Sequence, residues 1–589
     1  MFPIIYTSVI IVLMTFALVK EFHKPSMIIF SALILLYLGG IVEIKETFAG
    51  FSNHGMLTVA ALFIVAAALQ SSNHFGDLIF KAMGSKFTKF TYFRLMAPVT
   101  LLSSFLNNTP VVMSLIPFVK NWAKKNNLAP SKFLIPLSYA SIFGGTCTLI
   151  GTSTNLVVHG LMLDNGLEGF TFFEIGKIGF PLAIIGILYF STIGKRLLPN
   201  HKDSMDNFRE NSRNFVAQVT VSKDYPGINK TILQAGLRHL RGLYLFQVER
   251  NNEILEVISP DEIVKEGDNL YFTGLPQTIF DLLKTKGLQL IEDTNFNLNN
   301  IDSDKIKTYE AVISNNSPLV GQTVQKSSFR TKYDAVILAV HRNGHRINKK
   351  IGDITIQAND TLFIIARRNF STKWYNSSDF ALVSNSVDNY SKPACKGMLA
   401  LFLTLMMITS VSCGFVKSML ISATITAGLM ILTKIISYGD AKKSIDFDIL
   451  LVIASSFGIG KAIANSGLAE LIATNLISSL EGFGIVGILA GLYLLTTVYT
   501  EIITNNAAAA LLFPVALSTG TALGISPHPF MLVIAMGASA SFSTPIGYQT
   551  NMMVYSPGSY KFSDFLKTGV MMNIISMIVT TGLVYYYYF

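Results

Sequence analysis

Two asparagine-rich stretches stand out in a chain that is otherwise strongly apolar. "FLNNTPVVMSLIP" occupies residues 105–117, and "IITNNAAAALLFP" occupies residues 502–514. In each stretch an asparagine (Asn108, Asn505) lies nine residues before a proline. Polar side chains are costly in hydrocarbon, and those kept there usually serve a binding or transport site. Amide oxygens and unwound carbonyls suit a small cation, whereas helix N-termini suit an anion.

A second polar motif follows each asparagine stretch. "TLIGTSTN" ends at Asn155 and "TPIGYQTN" ends at Asn551, with five of eight positions identical. The separation from Asn108 to Asn155 is 47 residues, and that from Asn505 to Asn551 is 46. This spacing indicates the duplication of a whole helical bundle. Asn and Thr can also bridge neighbouring membrane helices, but four motifs paired by a duplication favour a binding site.

The composition is that of a polytopic membrane protein. Of 589 residues, 50% are hydrophobic and 14% are charged, against about a quarter charged in soluble domains. Apolar runs long enough to span a bilayer occur at both ends of the chain, and we interpret the first as a retained helix, not a cleaved signal peptide. Three cysteines show no metal-binding spacing. The net charge of +10 follows from basic cytoplasmic loops and predicts no nucleic-acid partner.

A polar segment from about Pro199 to Pro393 separates the two apolar halves. It repeats itself at an offset of 92 residues. The residues Pro226, Thr231, Val248, Arg250, Asp268 and Leu270 match Pro318, Thr323, Val340, Arg342, Asp360 and Leu362. The sequence therefore predicts two small α+β modules, and four domains with the boundaries 1–198, 199–300, 301–394 and 395–589.

The two modules resemble the C-terminal domain of potassium-conductance regulators, the TrkA-C domain. "SPLVGQTV", "AVILAVHRNG" and "IQANDTLFIIA" carry the resemblance in the second module, and "YPGINKTI", "LYLFQVERNN" and "VKEGDNLYFTG" do so more loosely in the first. The resemblance implies modules that pair and that can hold a small regulatory ligand. Asn359 departs from the usual glycine of the Gly-Asp turn. A basic cluster could receive an anionic regulator, or could be a solvated surface: Arg342, His345, Arg346, Lys349 and Lys350. No glycine-rich dinucleotide loop is present, so we expect no NAD binding and no organic cofactor.

Loop charge predicts that the two membrane halves are inverted. The loops 81–94 and 120–132, around the first asparagine motif, hold eight lysines and arginines, whereas 517–529, after the second motif, holds none. Because basic loops stay in the cytoplasm, the first motif enters from the cytoplasm and the second from outside. The insert is then cytoplasmic and both termini are external.

Inverted repeats with broken helices are typical of secondary transporters. Each asparagine motif predicts a re-entrant hairpin whose tip stops near the membrane midplane. Apart from Glu501 at the mouth, the hairpin tips and the following turns contain no charged residue. A proton relay or a metal centre would need such residues, so their scarcity favours sodium coupling and recognition of an anion by dipoles and hydroxyls.

On these motifs the whole membrane part resembles the divalent anion–sodium symporter family of the ion transporter superfamily. That family has a Ser-Asn-Thr tripeptide at each hairpin tip, where this chain has Asn107-Asn108-Thr109 and Thr504-Asn505-Asn506. The family's next turn has the form Gly-Ser/Thr-Pro-Pro-Asn. Here the turns 151–155 and 547–551 keep the glycine and the final asparagine without the prolines.

The resemblance implies two sodium sites and one anion site. One sodium would be held by Ser103, Asn107, Asn108 and the Gly151 carbonyl, and the other by Thr500, Asn505 and the Gly547 carbonyl. The substrate-binding residues would be Asn107, Asn108, Thr109, Thr152, Asn155, Thr504, Asn505, Asn506, Tyr548 and Asn551. The resemblance also implies a homodimer and an elevator motion of the hairpin domain.

The function expected from the sequence is sodium-coupled symport of a small divalent anion across the cell (inner) membrane, tuned by cytoplasmic TrkA-C modules. Permeases with such an insert resemble a sulfate-transporter branch of bacteria and algae. Tyr548 stands where dicarboxylate carriers usually have a small hydroxyl residue, which also favours sulfate. A dicarboxylate symporter is the alternative, and a membrane sensor is a further one. The Thr-Val-Gly-Tyr-Gly filter of a potassium channel is missing, and no nucleophile–base pair suggests an enzyme.

Overall fold

The structure is a computed structural model. It describes residues 1–20, 22–70, 83–201, 216–237, 243–250, 253–255, 262–274, 286–290, 306–314, 317–342, 345–347, 349, 351–374, 377, 379–383, 394–416 and 418–589.

Helices make up the described parts of both apolar halves. The α-helices of the first half are α1 (Phe2–Val19), α2 (Pro25–Leu38), α3 (Ile44–Ala49), α4 (His54–Gln70), α5 (Thr91–Ser103), α6 (Asn108–Lys125), α7 (Ser131–Gly145), α8 (Ser153–Asp164) and α9 (Gly176–Thr192). The insert contributes the short helices α10 (Phe329–Tyr333) and α11 (Phe370–Trp374). Those of the second half are α12 (Ala394–Ser412), α13 (Met419–Leu432), α14 (Tyr438–Ser444), α15 (Phe447–Asn465), α16 (Leu468–Leu480), α17 (Gly484–Thr500), α18 (Asn505–Ala522), α19 (His528–Ser539), α20 (Gln549–Tyr555) and α21 (Phe562–Tyr588).

Several of these helices are suited to a bilayer. Within the described residues, four helical stretches have the length and apolar composition needed to cross a membrane: Ile44–Leu69, Phe447–Asn465, Leu468–Thr500 and Phe562–Tyr588. Six shorter helices are also apolar. Large apolar side chains such as Leu38 and Leu432 are more than two-thirds exposed on the outside of the bundle, as expected where hydrocarbon is the solvent. The chain has the helices of a polytopic membrane protein.

Helix breaks occur at matching places in the two halves. Four residues separate α5 from α6, and four separate α17 from α18. Longer non-helical turns, residues 146–152 and 540–548, separate α7 from α8 and α19 from α20. Helix α5 has 13 residues, which is about 20 Å of helix against a hydrocarbon core of about 30 Å. These breaks coincide with the predicted hairpin tips and turns.

The insert forms two five-stranded antiparallel sheets. The strands are β1 (Val216–Val221), β2 (Leu243–Arg250), β3 (Glu253–Leu255), β4 (Asn269–Gly274), β5 (Leu288–Leu290), β6 (Ile306–Ile313), β7 (Ala335–Arg342), β8 (His345–Arg346), β9 (Thr361–Arg367) and β10 (Phe380–Val383). Their orders are β3-β2-β4-β1-β5 and β10-β6-β9-β7-β8. Read from opposite edges, the two orders are the same, so the repeat in the sequence is a repeat of structure. The module boundaries at 199–300 and 301–394 stay predictions.

The repeated arginine and aspartate of the modules form the same contact twice. Arg250 donates from Nε and Nη2 to the two carboxylate oxygens of Asp268, at 2.8 and 2.9 Å. Arg342 does so with Asp360, at 2.8 Å for both bonds. Both aspartates are fully buried, so these forks hold the turn before the fourth strand. Arg342 of the predicted basic cluster is therefore committed within its own module, and residue 350 of that cluster lies outside the described residues.

Candidate functional site

Each hairpin tip joins a hydroxyl to its asparagine. The hydroxyl of Ser103 donates to Oδ1 of Asn108 at 2.6 Å. That of Thr500 lies 3.2 Å from Oδ1 of Asn505 and 2.8 Å from the Ala538 carbonyl oxygen. Ser103, Asn108 and Thr500 are buried, and both asparagines are the first residue of a helix. The predicted sodium ligands thus present paired oxygens at the start of α6 and α18, and hard cations prefer oxygen ligands.

The asparagines that end the second motifs hold the unwound turns. Nδ2 of Asn155 donates to the carbonyls of Gly145 and Thr148, at 3.1 and 2.9 Å. Nδ2 of Asn551 donates to the carbonyls of Ser541 and Thr544, at 2.9 and 3.1 Å. Both asparagines are fully buried. Their amides satisfy backbone groups that a helix would otherwise satisfy, which is a positioning role; direct contact with the substrate stays a prediction.

Glycine is required in both turns by close packing. A Cβ on Gly151 would lie 2.7 Å from the Gly145 carbonyl oxygen. A Cβ on Gly547 would clash with Ser541 Oγ and would lie 3.0 Å from the Thr500 carbonyl oxygen. The Gly547 turn therefore packs directly against the end of α17 at the second tip, whereas the Gly151 turn packs against the end of α7.

Tyr548 of the second half reaches the tip of the first. Nδ2 of Asn108 donates to the Tyr548 hydroxyl at 2.5 Å. The same hydroxyl lies 3.3 Å from Oγ1 of Thr152, the residue equivalent to Tyr548 in the first half. All three side chains are buried. The two equivalent turn residues thus meet between the halves.

Two further contacts between the halves are related by the duplication. Thr109 donates to Oε1 of Gln549 at 2.9 Å, and Ser153 donates to Oδ1 of Asn506 at 3.0 Å. Thr109 is equivalent to Asn506, and Ser153 is equivalent to Gln549, at separations of 397 and 396 residues. The first hairpin tip thus contacts the second turn, and the second tip contacts the first turn. A two-fold relation between the halves produces reciprocal contacts of this kind.

Three helix N-termini converge on these contacts. Asn107, Thr152 and Thr504 precede α6, α8 and α18, and none of the three makes a side-chain hydrogen bond that caps its own helix. Asn and Thr usually do cap. The hydroxyl of Thr152 contacts Tyr548 instead. The first amides of the three helices lie at the positive ends of their helix dipoles, which suit an anion.

A cavity of about 40 Å³ lies beside the first tip. Asn107, Gly151, Thr152 and Ser153 form its polar wall, and apolar residues of α4 with Thr404 and Met407 of α12 form the rest. A single water needs roughly 10–15 Å³ measured in this way. The cavity therefore has room for one small ion or a few waters.

The carboxylate of Glu501, which the sequence suggested at the mouth of the second tip, binds the non-helical turn 540–548. Its Oε1 accepts from the Ser543 amide and from Nδ2 of Asn573, both at 2.8 Å. Its Oε2 accepts from the Thr544 amide at 2.9 Å and from Ser541 Oγ at 3.1 Å. The carboxylate thus fixes the turn that leads to Gly547.

The predicted residues fall into two connected groups. Contacts across the halves link Asn108, Thr109, Thr152, Asn506 and Tyr548. Asn107 and Gly151 line the cavity beside them, whereas Thr500, Thr504, Asn505 and Gly547 lie around the second tip. Sequence reasoning missed Ser153, Gln549 and the position of Glu501. The first two occupy equivalent positions in the repeated motifs, and that equivalence could have identified them.

The second module packs directly on this site's helices. Nζ of Lys120, on α6, lies 2.7 Å from Oε2 of Glu310 on β6, with side chains only 9% and 2% exposed. The hydroxyl of Thr361 contacts that of Ser556 at the end of α20, and the Asn359 amide contacts Met552 on α20. Val312 joins the apolar core of the membrane part. One sheet thus touches the helices that carry Asn108 and Asn551.

A separate polar cluster links the halves away from the module. His528 Nε2, at the start of α19, lies 2.6 Å from Oε1 of Glu174, and the Tyr588 hydroxyl donates to the same oxygen at 2.8 Å. Burial alone would raise the pKa of Glu174, but hydrogen bonds from His528, the Thr171 amide and Tyr588 outweigh it and lower that pKa to about 2.

Known proteins resemble this chain over nearly its full length. The citrate transporter family (CitMHS) matches residues 9–525. A Chlamydomonas reinhardtii protein named "Putative sulfur deprivation response regulator" is 34% identical, covering 95% of this chain and 97% of its own. An uncharacterised transporter of Synechocystis is 29% identical over 94% of this chain and 92% of its own. Sodium/sulfate cotransporter 2 of Chlamydomonas reinhardtii is 26% identical over 92% of this chain and 84% of its own.

These matches confirm the resemblance of the membrane part to sodium-coupled anion transporters, and they place the chain among membrane transporters, not among enzymes. The assignment of the insert to TrkA-C stays a prediction. With hairpin tips, unwound turns and reciprocal contacts that fit a transporter, and with a family match that covers most of its length, the chain belongs to the citrate transporter family.

Proposed function

We propose that the protein is a sodium-coupled symporter of a small divalent anion, with sulfate as the substrate. The observation that carries the proposal is the constellation between the halves, in which amide and hydroxyl groups of both tips and both turns meet at three helix N-termini. Relatives named sodium/sulfate cotransporters support the choice of ion and anion.

The donor set fits both solutes. Asn and Thr oxygens at the tips, with turn carbonyls, are neutral hard ligands suited to sodium. Helix N-termini and the hydroxyls of Thr109, Thr152 and Tyr548 are donors suited to sulfate oxygens. Because sodium neutralises part of the anion's charge, each solute improves the binding of the other, and this coupling drives symport.

The inverted arrangement and the re-entrant hairpins belong to the same proposal. Reciprocal contacts between tips and turns support a pseudo-two-fold axis in the membrane plane, so that the site faces either side in turn. In this arrangement the two β-sheet modules are TrkA-C domains in the cytoplasm. They tune transport through the contact of the second module with α6 and α20. A homodimer with an elevator motion is the form implied by the family resemblance.

The bulk of Tyr548 favours sulfate over a carboxylate. Its ring is buried beside the first tip and its hydroxyl is engaged by Asn108 and Thr152, which leaves little room for a carbon chain. The family's name favours a second candidate, a di- or tricarboxylate such as citrate.

Uptake into proteoliposomes tests the proposal. Labelled sulfate uptake should require an inward sodium gradient, should fail with potassium in place of sodium, and should be lost in Asn108→Ala and Asn505→Ala. Asn475→Ala, at an exposed position on α16, is the control. Sodium-driven uptake of succinate or citrate that excess sulfate does not inhibit would replace the substrate, and uptake indifferent to sodium would refute the coupling.

A further inference from the structure

Glu501 has no counterpart in the first half. The equivalent residue there is Ser104, 397 positions earlier. The backbone contact is conserved between the halves, because Thr148 donates to the Ser104 carbonyl as Thr544 donates to the Glu501 carbonyl. The carboxylate is therefore an addition to an otherwise duplicated turn.

Four hydrogen-bond donors surround the Glu501 carboxylate. Both oxygens accept, from the amides of Ser543 and Thr544, Ser541 Oγ and Asn573 Nδ2. A proton on either oxygen would face these donors, so the geometry suits an acceptor-only carboxylate. Within the described part of the chain, no lysine, arginine or histidine forms an ion pair with it. A cation beside this carboxylate would balance its charge.

The surroundings identify the countercharge as a cation. A Cβ built on Gly547 would lie 2.9 Å from Oε2 of Glu501 and 3.0 Å from the Thr500 carbonyl oxygen. These two oxygens therefore lie beside the same point of the turn. Both Thr500 and Gly547 belong to the proposed second sodium site. Oδ1 of Asn573 and Oγ1 of Thr504 are buried oxygens that no donor among the described residues reaches. Because Asn573 also donates to Glu501, its Oδ1 is an unused oxygen close to the carboxylate, an arrangement that suits a small monovalent cation.

We infer that Glu501 is the fixed negative charge that compensates the cation of the second half-site, so that the two sodium sites are unequal. This inference rests on the proposed sodium coupling and deepens it. The second site binds sodium without help from the anion, because its own carboxylate supplies the charge. The first site, built from neutral groups, holds sodium well only when the anion is present. Sodium at the second site therefore binds first.

Thermal unfolding of the purified full-length protein tests this without transport. Sodium chloride is titrated against choline chloride at constant ionic strength, with no anionic substrate. Sodium should raise the unfolding midpoint of the wild type. In Glu501→Gln the sodium concentration for half of this effect should rise at least tenfold. Glu481→Gln, which removes an exposed carboxylate near the start of α17, should leave it unchanged.

Two comparisons separate charge from structure. Glu501→Asp keeps the charge and shortens the reach, whereas Glu501→Gln keeps the reach and loses the charge. Tighter sodium binding by Glu501→Asp than by Glu501→Gln supports the inference. The reverse order overturns it, because the side chain's reach and not its charge would then decide sodium affinity.

The outcomes distinguish this inference from the proposed function. A wild type that sodium does not stabilise at all refutes the sodium coupling itself. A wild type that sodium stabilises, with Glu501→Gln and Glu501→Asp titrating like it, refutes only the role of Glu501. If Glu501→Gln does not yield folded protein, the sodium titration of Glu501→Asp against the wild type decides alone, with an unchanged sodium affinity as the contrary result.

Discussion

Asparagines at equivalent positions of the two repeats have two different roles. Asn108 and Asn505 begin helices and place their oxygens beside a hydroxyl, whereas Asn155 and Asn551 bind two backbone carbonyls each. The sequence identified all four as unusual, because polar groups at membrane depth need a reason. It did not separate the roles, because spacing along a chain does not say where a side chain points.

The hydroxyl of Tyr548 should contribute directly to anion affinity. Tyr548→Phe removes the acceptor of the Asn108 amide and leaves a buried donor unsatisfied, which costs about 1–3 kcal/mol. We expect KM for the anion to rise by about tenfold, with the sodium requirement retained. Sulfate uptake at saturating sodium measures this, and Tyr585→Phe, at a largely exposed position, serves as the control. An unchanged KM would remove Tyr548 from the binding site.

Glu501 shows the limit of prediction at the residue scale. Its position just before the second tip was evident, but the groups that its side chain contacts were not. The side chain folds back because two amides of the unwound turn lie free of helical partners and attract an acceptor. That contact joins residues about 40 positions apart and has no local signature.

At the scale of elements, the same turn is built from different residues in the two modules. Gly267 has φ of 80° and Asn359 has φ of 64°, so the substitution keeps the left-handed backbone that asparagine tolerates. The sequence suggested an altered second module at this point. The backbone is the same, and the side chain that glycine lacks contacts Met552 on α20.

The turn at Gly547 should not tolerate even one added methyl group. In Gly547→Ala the Cβ clashes with Ser541 and crowds Glu501, and overpacking of this kind costs about 1–3 kcal/mol. We expect a loss of sodium-dependent uptake of at least tenfold.

Gly582→Ala, where an added Cβ meets open space on helix α21, is the matched control and should stay within twofold of the wild type. Uptake and sodium-dependent thermal stability are measured for both variants. Equal behaviour of the two would show that the close approach at Gly547 has no role in transport.

The breaks in the helices were predictable, and their partners were not. Polar motifs of fixed spacing indicated tips and turns in both halves, and the helices do end there. The strand pattern of the insert likewise predicted two similar modules. The contacts between tip and turn depend on how the halves pack, and a hydropathy pattern contains no information on that geometry.

At the scale of the whole molecule, the buried ion pair between Lys120 and Glu310 should be important for stability. Removing one partner leaves an uncompensated buried charge, at a cost of about 3–5 kcal/mol. Lys120→Met or Glu310→Leu alone should therefore lower the thermal unfolding midpoint strongly, and the double variant should recover most of the loss.

The pair of Lys223 and Glu266, 3.7 Å apart and with side chains 83% and 50% exposed, provides the control. Lys223→Met should have almost no effect, because exposed ion pairs contribute about 0–1 kcal/mol. Additive losses in the Lys120 and Glu310 double variant would contradict a direct interaction.

Acid should weaken the link through Glu174. A carboxyl with a pKa near 2 in the folded protein and an ordinary pKa when unfolded stabilises the fold above about pH 4.5, and this contribution is lost as the pH falls toward 2. The unfolding midpoint of the wild type should therefore exceed that of Glu174→Gln at pH 7, with a difference that shrinks below about pH 4.5. Thermal unfolding from pH 3 to 7 measures it, and a difference that is constant with pH would exclude the titration of Glu174.

The contact of the second sheet with α6 also allows the binding site to be followed by probes placed on the module. A buried ion pair and an apolar seam fasten the sheet to the helix that begins with Asn108, so any displacement of that helix carries the sheet with it. The position of the module would then report any displacement of α6. Spin labels or fluorophores placed on its solvent face could follow the transport cycle in real time, with the binding residues left untouched. Equally, a protein that binds the module would restrain α6 without contacting the binding residues.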